Sequence, residues 1–122
     1  MKKTITLSLI AVTTALAIAA GGLRFEARLQ GAGKGKAKWT VKGTAESQAE
    51  LQVEAERLRP DTDYFVTIGN EMPWSVHTTA LGTLRLTQRY VGAKRPTIGA
   101  GTIVIVSNAN SETILTGAMV QR

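Results

Sequence analysis

The sequence predicts an all-β fold, an antiparallel β-sandwich of about seven or eight strands preceded by an N-terminal signal helix. Three observations lead there. Beyond residue 22 the apolar residues mostly recur at every second position, the spacing that places one face of a strand on a core. Gly, Pro and Asn punctuate these runs, while helical spacing is nowhere sustained. Strands joined by short turns must pair antiparallel, since parallel neighbours need long crossovers. A small barrel meets the same pattern.

Met1-Lys2-Lys3 is a basic start to a largely apolar run from Ile5 to Ala20, the layout of a secretory signal peptide. Ala17-Ile18-Ala19 supplies the small residues that a signal peptidase reads, so cleavage is expected after Ala19. Residues 1–19 are then the leader and residues 20–122 a single domain, secreted or periplasmic, with no membrane span after cleavage. An uncleaved anchor is the alternative, since Thr4 to Gly22 is near the length that crosses a bilayer. Export without any cysteine suggests a bacterial source.

The first strand is expected over Leu23 to Gln30, where Leu23, Phe25, Ala27 and Leu29 alternate with polar residues until Gly31-Ala32-Gly33 breaks the run. Next, Ala37, Trp39 and Val41 alternate with Lys36, Lys38, Thr40 and Lys42. Ala49, Leu51, Val53 and Ala55 alternate with Glu50, Gln52, Glu54 and Glu56; the composition would suit a helix, but the strict period of two favours a strand. Tyr64, Val66 and Ile68 form one face of a strand that Gly69-Asn70 ends. Trp74 and Val76 open a short strand reaching about Thr79, and after Gly82 another runs from Leu84 to about Tyr90. A loop with Gly and Pro covers Gly92 to Gly101. The continuous apolar Ile103 to Val106 reads as a strand buried on both faces. Ser107 to Ser111 is the final turn, and Thr113 to Val120 the last strand.

The run from Leu58 to Ile68, with Pro60, Thr62, Tyr64 and Val66, resembles the Leu-x-Pro-x-Thr-x-Tyr-x-Val element of fibronectin type III domains, in which the tyrosine hydroxyl bonds back to the preceding turn. Here Pro60 fixes one turn angle, Asp61 and Asp63 can accept turn amide protons, and Tyr64 buries its ring. In those domains the element lies near the C-terminal end, whereas a long stretch follows Tyr64 here. The chain is more similar to small secreted bacterial β-sandwich domains related to the chordin-like CHRD domain. That resemblance rests on Leu58 to Ile68, Thr78-Thr79-Ala80-Leu81-Gly82, Gly101-Thr102-Ile103-Val104-Ile105 and Ile114-Leu115-Thr116-Gly117. It implies an extracytoplasmic structural or binding role. Val66-Thr67-Ile68 stands where CHRD domains resemble a metal site, so no metal role carries over.

The survey for chemistry is mostly negative. Without cysteine there are no disulfides, thiolate metal sites or thiol nucleophiles. His77 is the one histidine; a catalytic triad would have to be built around it, and its strand places it outward. A zinc site needs more ligands than the chain holds. Glu50, Glu54 and Glu56 share an exposed strand face, and Asp61 and Asp63 belong to a turn. Gly31-Ala32-Gly33-Lys34-Gly35-Lys36 looks like a phosphate loop but lacks its spacing and its following helix. No enzyme, cofactor or metal is expected. The structural positions singled out are Trp39, Pro60, Tyr64 and Gly82.

Charge carries the one functional tilt. The chain has a formal net charge of +6, and loss of Lys2 and Lys3 leaves 13 basic residues against 9 acidic ones, or +4. The lysines from Lys34 to Lys42 suggest a stripe for lipopolysaccharide, acidic polysaccharide or nucleic acid. A hairpin turning near Glu46 would instead set Lys42, Thr40, Lys38 and Lys36 against Glu50, Gln52, Glu54 and Glu56, each opposite-charge pair contributing roughly 0.2–1 kcal/mol. The unpaired positive surface then shifts to Arg85, Arg89, Lys94 and Arg95. Two readings result. One is a non-catalytic exported structural or protein-interaction domain of the bacterial envelope or extracellular space, contacting a protein partner or itself through edge strands such as Leu23 to Gln30. The other is a module that binds anionic polymers.

Overall fold

Alternation becomes a continuous antiparallel sheet. A computed structural model describes residues 23–42, 48–91 and 96–122, so residues 1–19, expected as a leader, lie outside the described residues. The strands are β1 (Leu23–Gly31), β2 (Lys34–Val41), β3 (Ala49–Glu56), β4 (Asp63–Ile68), β5 (Trp74–His77), β6 (Leu84–Tyr90), β7 (Ile103–Ser107), β8 (Thr113–Ala118) and β9 (Val120–Gln121). The ladder runs β5-β4-β7-β8-β1-β2-β3-β6, with β9 joining β1 beyond the end of β8. The terminal strands β5 and β6 touch without forming a ladder, so the sheet is nearly closed into a barrel. The strands do not divide into two hydrogen-bonded sheets, as the expected sandwich requires. Among the described residues no helix is long and apolar enough to cross a membrane.

The inward face of each strand is the apolar half of its alternation. Leu29, Leu51, Ile68, Leu84 and Leu115 have no exposed surface, and burying such a side chain stabilises the fold by roughly 1.5–3 kcal/mol. Trp39 is 2% exposed, and its ring lies 5.7 Å from that of Tyr90 at a tilt of 59°, within the range of favourable aromatic pairs. Burial, and then the carboxylate of Glu71, push the Tyr90 phenol above its ordinary pKa of 10.0.

Three expectations are corrected. β1 is no edge: β2 flanks it on one side, β8 and β9 on the other. β7 is buried on one face alone, with Val104 and Val106 at 0% exposure and Ile103 at 46%, because none of the described residues covers its outer side. The last strand breaks at the buried Met119, whose amide donates to the Thr102 carbonyl at 2.8 Å, and Val120 and Gln121 then pair with β1.

Around Tyr64 the chain is tied by side chains. Tyr64 Oη accepts from the Arg59 amide at 3.1 Å, the tyrosine-corner bond. Pro60 offers its carbonyl to Thr62 Oγ1 at 2.8 Å. The buried Thr78 Oγ1 accepts from the Thr62 amide at 2.9 Å and donates to the Arg59 carbonyl at 2.6 Å. Two amide protons of this turn therefore go to Tyr64 and Thr78, not to the expected Asp61 and Asp63. Asp61 adopts a φ of 48°, which aspartate tolerates better than most residues. Gly82, at φ 76°, closes the β5–β6 turn against the Leu58 carbonyl; a Cβ there would collide with that oxygen.

Candidate functional site

The charged residues gather on one half of the outer wall. Outward positions of β1, β2, β3 and β6 align in rows: Arg28–Lys36–Glu54–Arg85, then Glu26–Lys38–Gln52–Thr87, then Arg24–Thr40–Glu50–Arg89. The β2–β3 register sets Thr40 against Glu50, Lys38 against Gln52, Lys36 against Glu54 and Lys34 against Glu56. This is two residues from the expected pairing. The alternation fixes which face each residue takes but leaves even-numbered slips open.

Of the four cations expected to form the free positive surface, the described residues include two, and they differ: Arg89 is paired and Arg85 is not. Arg89 Nε lies 3.1 Å from Glu50 Oε2. Arg85 stands across the ladder from Glu54, and Lys94 and Arg95 lie outside the described residues. The β3–β6 pairing joins segments distant in sequence, so no local signal announces these acidic partners. Ion pairs also link Lys34 to Glu56 at 3.4 Å, Arg24 to Glu26 at 3.9 Å and Arg122 to Glu26 at 3.8 Å.

Arg28, Lys36, Lys38 and Arg85 are different. Among the described residues none of these four makes an ion pair within 4.0 Å or a side-chain hydrogen bond. Arg28, Lys36 and Arg85 border an open hollow of about 620 Å³, together with Glu54, Glu56, Lys34, Gln30 and Thr83. The glycine- and lysine-rich run that resembles a phosphate loop is the tip of the β1–β2 hairpin at this hollow.

Among the described residues the other half of the wall is uncharged over most of its length, Asp63 and His77 at one end of β4 and β5 excepted. From Phe65 onward, the outward positions of β4, β7 and β8 are Phe65, Thr67, Ile103, Ile105, Ser107, Thr116 and Ala118, adjacent across the ladder. Val120, 53% exposed, stands across the ladder from Glu26 at the border with the charged half. Periodicity placed these side chains without showing that they share one surface.

His77 is exposed, as its strand position predicts, yet it has a partner: Nδ1 lies 2.8 Å from Asp63 Oδ1. That is the orienting half of a triad. No described hydroxyl is hydrogen-bonded to the ring's other nitrogen. Among the described residues no group of three or more His, Asp or Glu side chains is arranged to hold a metal ion.

No protein-family model matches the chain, and no curated protein matches it.

Proposed function

We propose that this chain is a non-catalytic exported structural domain of the bacterial cell envelope or extracellular space, which works by contact between its uncharged half-wall and that of a second copy. The observation that carries the reading is the segregation of charge. Residues 20–122 have a net charge of +4, so two copies repel over most approaches. A two-fold pairing brings the same patch together on both partners. Among the described residues, the surface of β4 from Phe65 onward, β7 and β8 can meet itself without opposing like charges, and it offers Phe65, Ile103 and Ile105 as apolar contacts. The N-terminal leader supports export, and the CHRD-like turn and core motifs agree with a role that needs no catalytic group.

Sedimentation velocity across a concentration series tests the contact. A reversible dimer is expected, weakened at least about tenfold by Ile103→Lys, which places a charge in the interface, and unaffected by Arg89→Gln on the opposite wall. A monomer at every concentration overturns the proposal. Export is tested by fractionation and N-terminal sequencing, with Ala20 as the expected first residue.

The second reading, a module for anionic ligands, draws its support from Arg28, Lys36, Lys38 and Arg85 in place of Arg89.

A further inference from the structure

We infer that the hollow at the β1–β2 hairpin tip is a binding site for an acidic oligosaccharide, one carrying sulfate or carboxylate groups beside free hydroxyls. The inference deepens the second reading above and uses the half of the wall that the proposed self-contact leaves open.

The hollow's volume, about 620 Å³, lies within the usual range of small-ligand sites. Its cations come from three strands, Arg28 on β1, Lys36 on β2 and Arg85 on β6, and all are without ion-pair partners among the described residues. Arg28, Lys36 and Arg85 line this one hollow from three separate strands, so an anionic group bound there has more than one cation to supply charge-assisted hydrogen bonds. Lys34 is held nearby by Glu56 at 3.4 Å.

The carboxylates narrow the ligand class. Glu54 sits between Lys36 and Arg85 in the same row, and Glu56 borders the hollow. A ligand with only anionic groups is repelled at these positions. An acidic saccharide satisfies both sets, its sulfates or carboxylates reaching the cations while its hydroxyls donate to Glu54 and to the Gln30 and Thr83 oxygens. No aromatic side chain lines the hollow, so it lacks the stacking platform with which proteins hold single-stranded nucleic acid.

Calorimetric titration of the protein at low salt tests this with four probes of matched length: a heparin-derived oligosaccharide, an oligogalacturonate, a neutral dextran oligomer and a single-stranded DNA oligonucleotide. One of the acidic saccharides is expected to bind and the dextran to show nothing. Lys36→Gln combined with Arg85→Gln should weaken that binding at least about tenfold, whereas Arg89→Gln, outside the hollow, should change it less than about twofold. Glu54→Gln separates the ligand classes: it weakens a saccharide that donates hydroxyls to the carboxylate and strengthens a ligand that is purely anionic. DNA binding that Glu54→Gln strengthens, with no saccharide bound, overturns the inference in favour of nucleic acid. Absence of binding to all four probes, with unfolding curves unchanged between variants, overturns it outright. Neither result bears on the sedimentation experiment, which reads the other half of the wall.

Discussion

Replacing Thr78 by valine removes a hydroxyl and keeps the side chain's shape. Thr78 is 1% exposed, and its Oγ1 holds the Thr62 amide at 2.9 Å and the Arg59 carbonyl at 2.6 Å. A net hydrogen bond contributes about 0.5–1.5 kcal/mol, and a buried amide left without an acceptor costs about 1–3 kcal/mol. Losing both bonds and stranding the Thr62 N–H should therefore cost about 2–4 kcal/mol. At about 4–8 °C per kcal/mol for a domain of this size, Tm falls by roughly 8–32 °C. Urea unfolding followed by the fluorescence of Trp39 and Trp74 measures the loss. Tyr64→Phe should cost about 1–2 kcal/mol by freeing the Arg59 amide. Since Tyr64 and Thr78 grip opposite ends of the same residue, the double variant should cost less than the two losses combined, by at least about 0.5 kcal/mol. Thr87→Val, on the exposed face of β6, is the control, expected within about 0.5 kcal/mol of the unaltered protein. A Thr78→Val protein as stable as that control refutes the claim that these bonds hold the turn.

Three other outcomes are expected. Gly82→Ala should destabilise by about 2 kcal/mol or more in the same unfolding assay, since φ 76° and the nearby Leu58 carbonyl leave no room for a Cβ. Tyr90 has a raised pKa in the folded state, so its neutral form is favoured there; that stabilisation is complete below pH 10.0 and is lost as pH rises through the raised value. Alkaline unfolding of Tyr90→Phe, compared with the unaltered protein, should lack this component. A double-mutant cycle on Glu50 and Arg89 should give a coupling of about 0.2–1 kcal/mol that fades with salt, because Arg89 is 80% exposed.

The alternation of Phe25, Ala27 and Leu29, or of Leu51, Val53 and Ala55, is enough to read strand and inward face, because side chains on a strand have a period of two. The same period is blind to a slip of two residues, which is why Lys38 meets Gln52 and not Glu54. It is equally blind to which strands become neighbours. Arg85 and Arg89 look alike in sequence and separate only when β6 docks on β3, where Arg89 pairs with Glu50 while Arg85 stands across from Glu54 without an ion pair. Ile103 to Val106 reads as a doubly buried strand because hydropathy records what a residue prefers, and among the described residues the outer side of β7 has no layer to meet that preference. The choice between sandwich and barrel was illegible for a related reason: the strands are the same in both, and only the β8–β1 ladder makes the sheet continuous.

That ladder orders events in time. β1 pairs with β8, Gln30 against Thr116, so the first strand of the domain waits for nearly the last. β1, β2 and β3 can form a meander early, but until β8 arrives one edge of β1 is open and Phe25, Trp39 and Leu51 lack their cover. Closure over such a sequence distance is slow compared with hairpin formation. A chain that emerges N-terminus first during synthesis therefore cannot complete this sheet until its C-terminal strands have appeared, and meanwhile it presents an adhesive, half-built sheet to whatever is nearby.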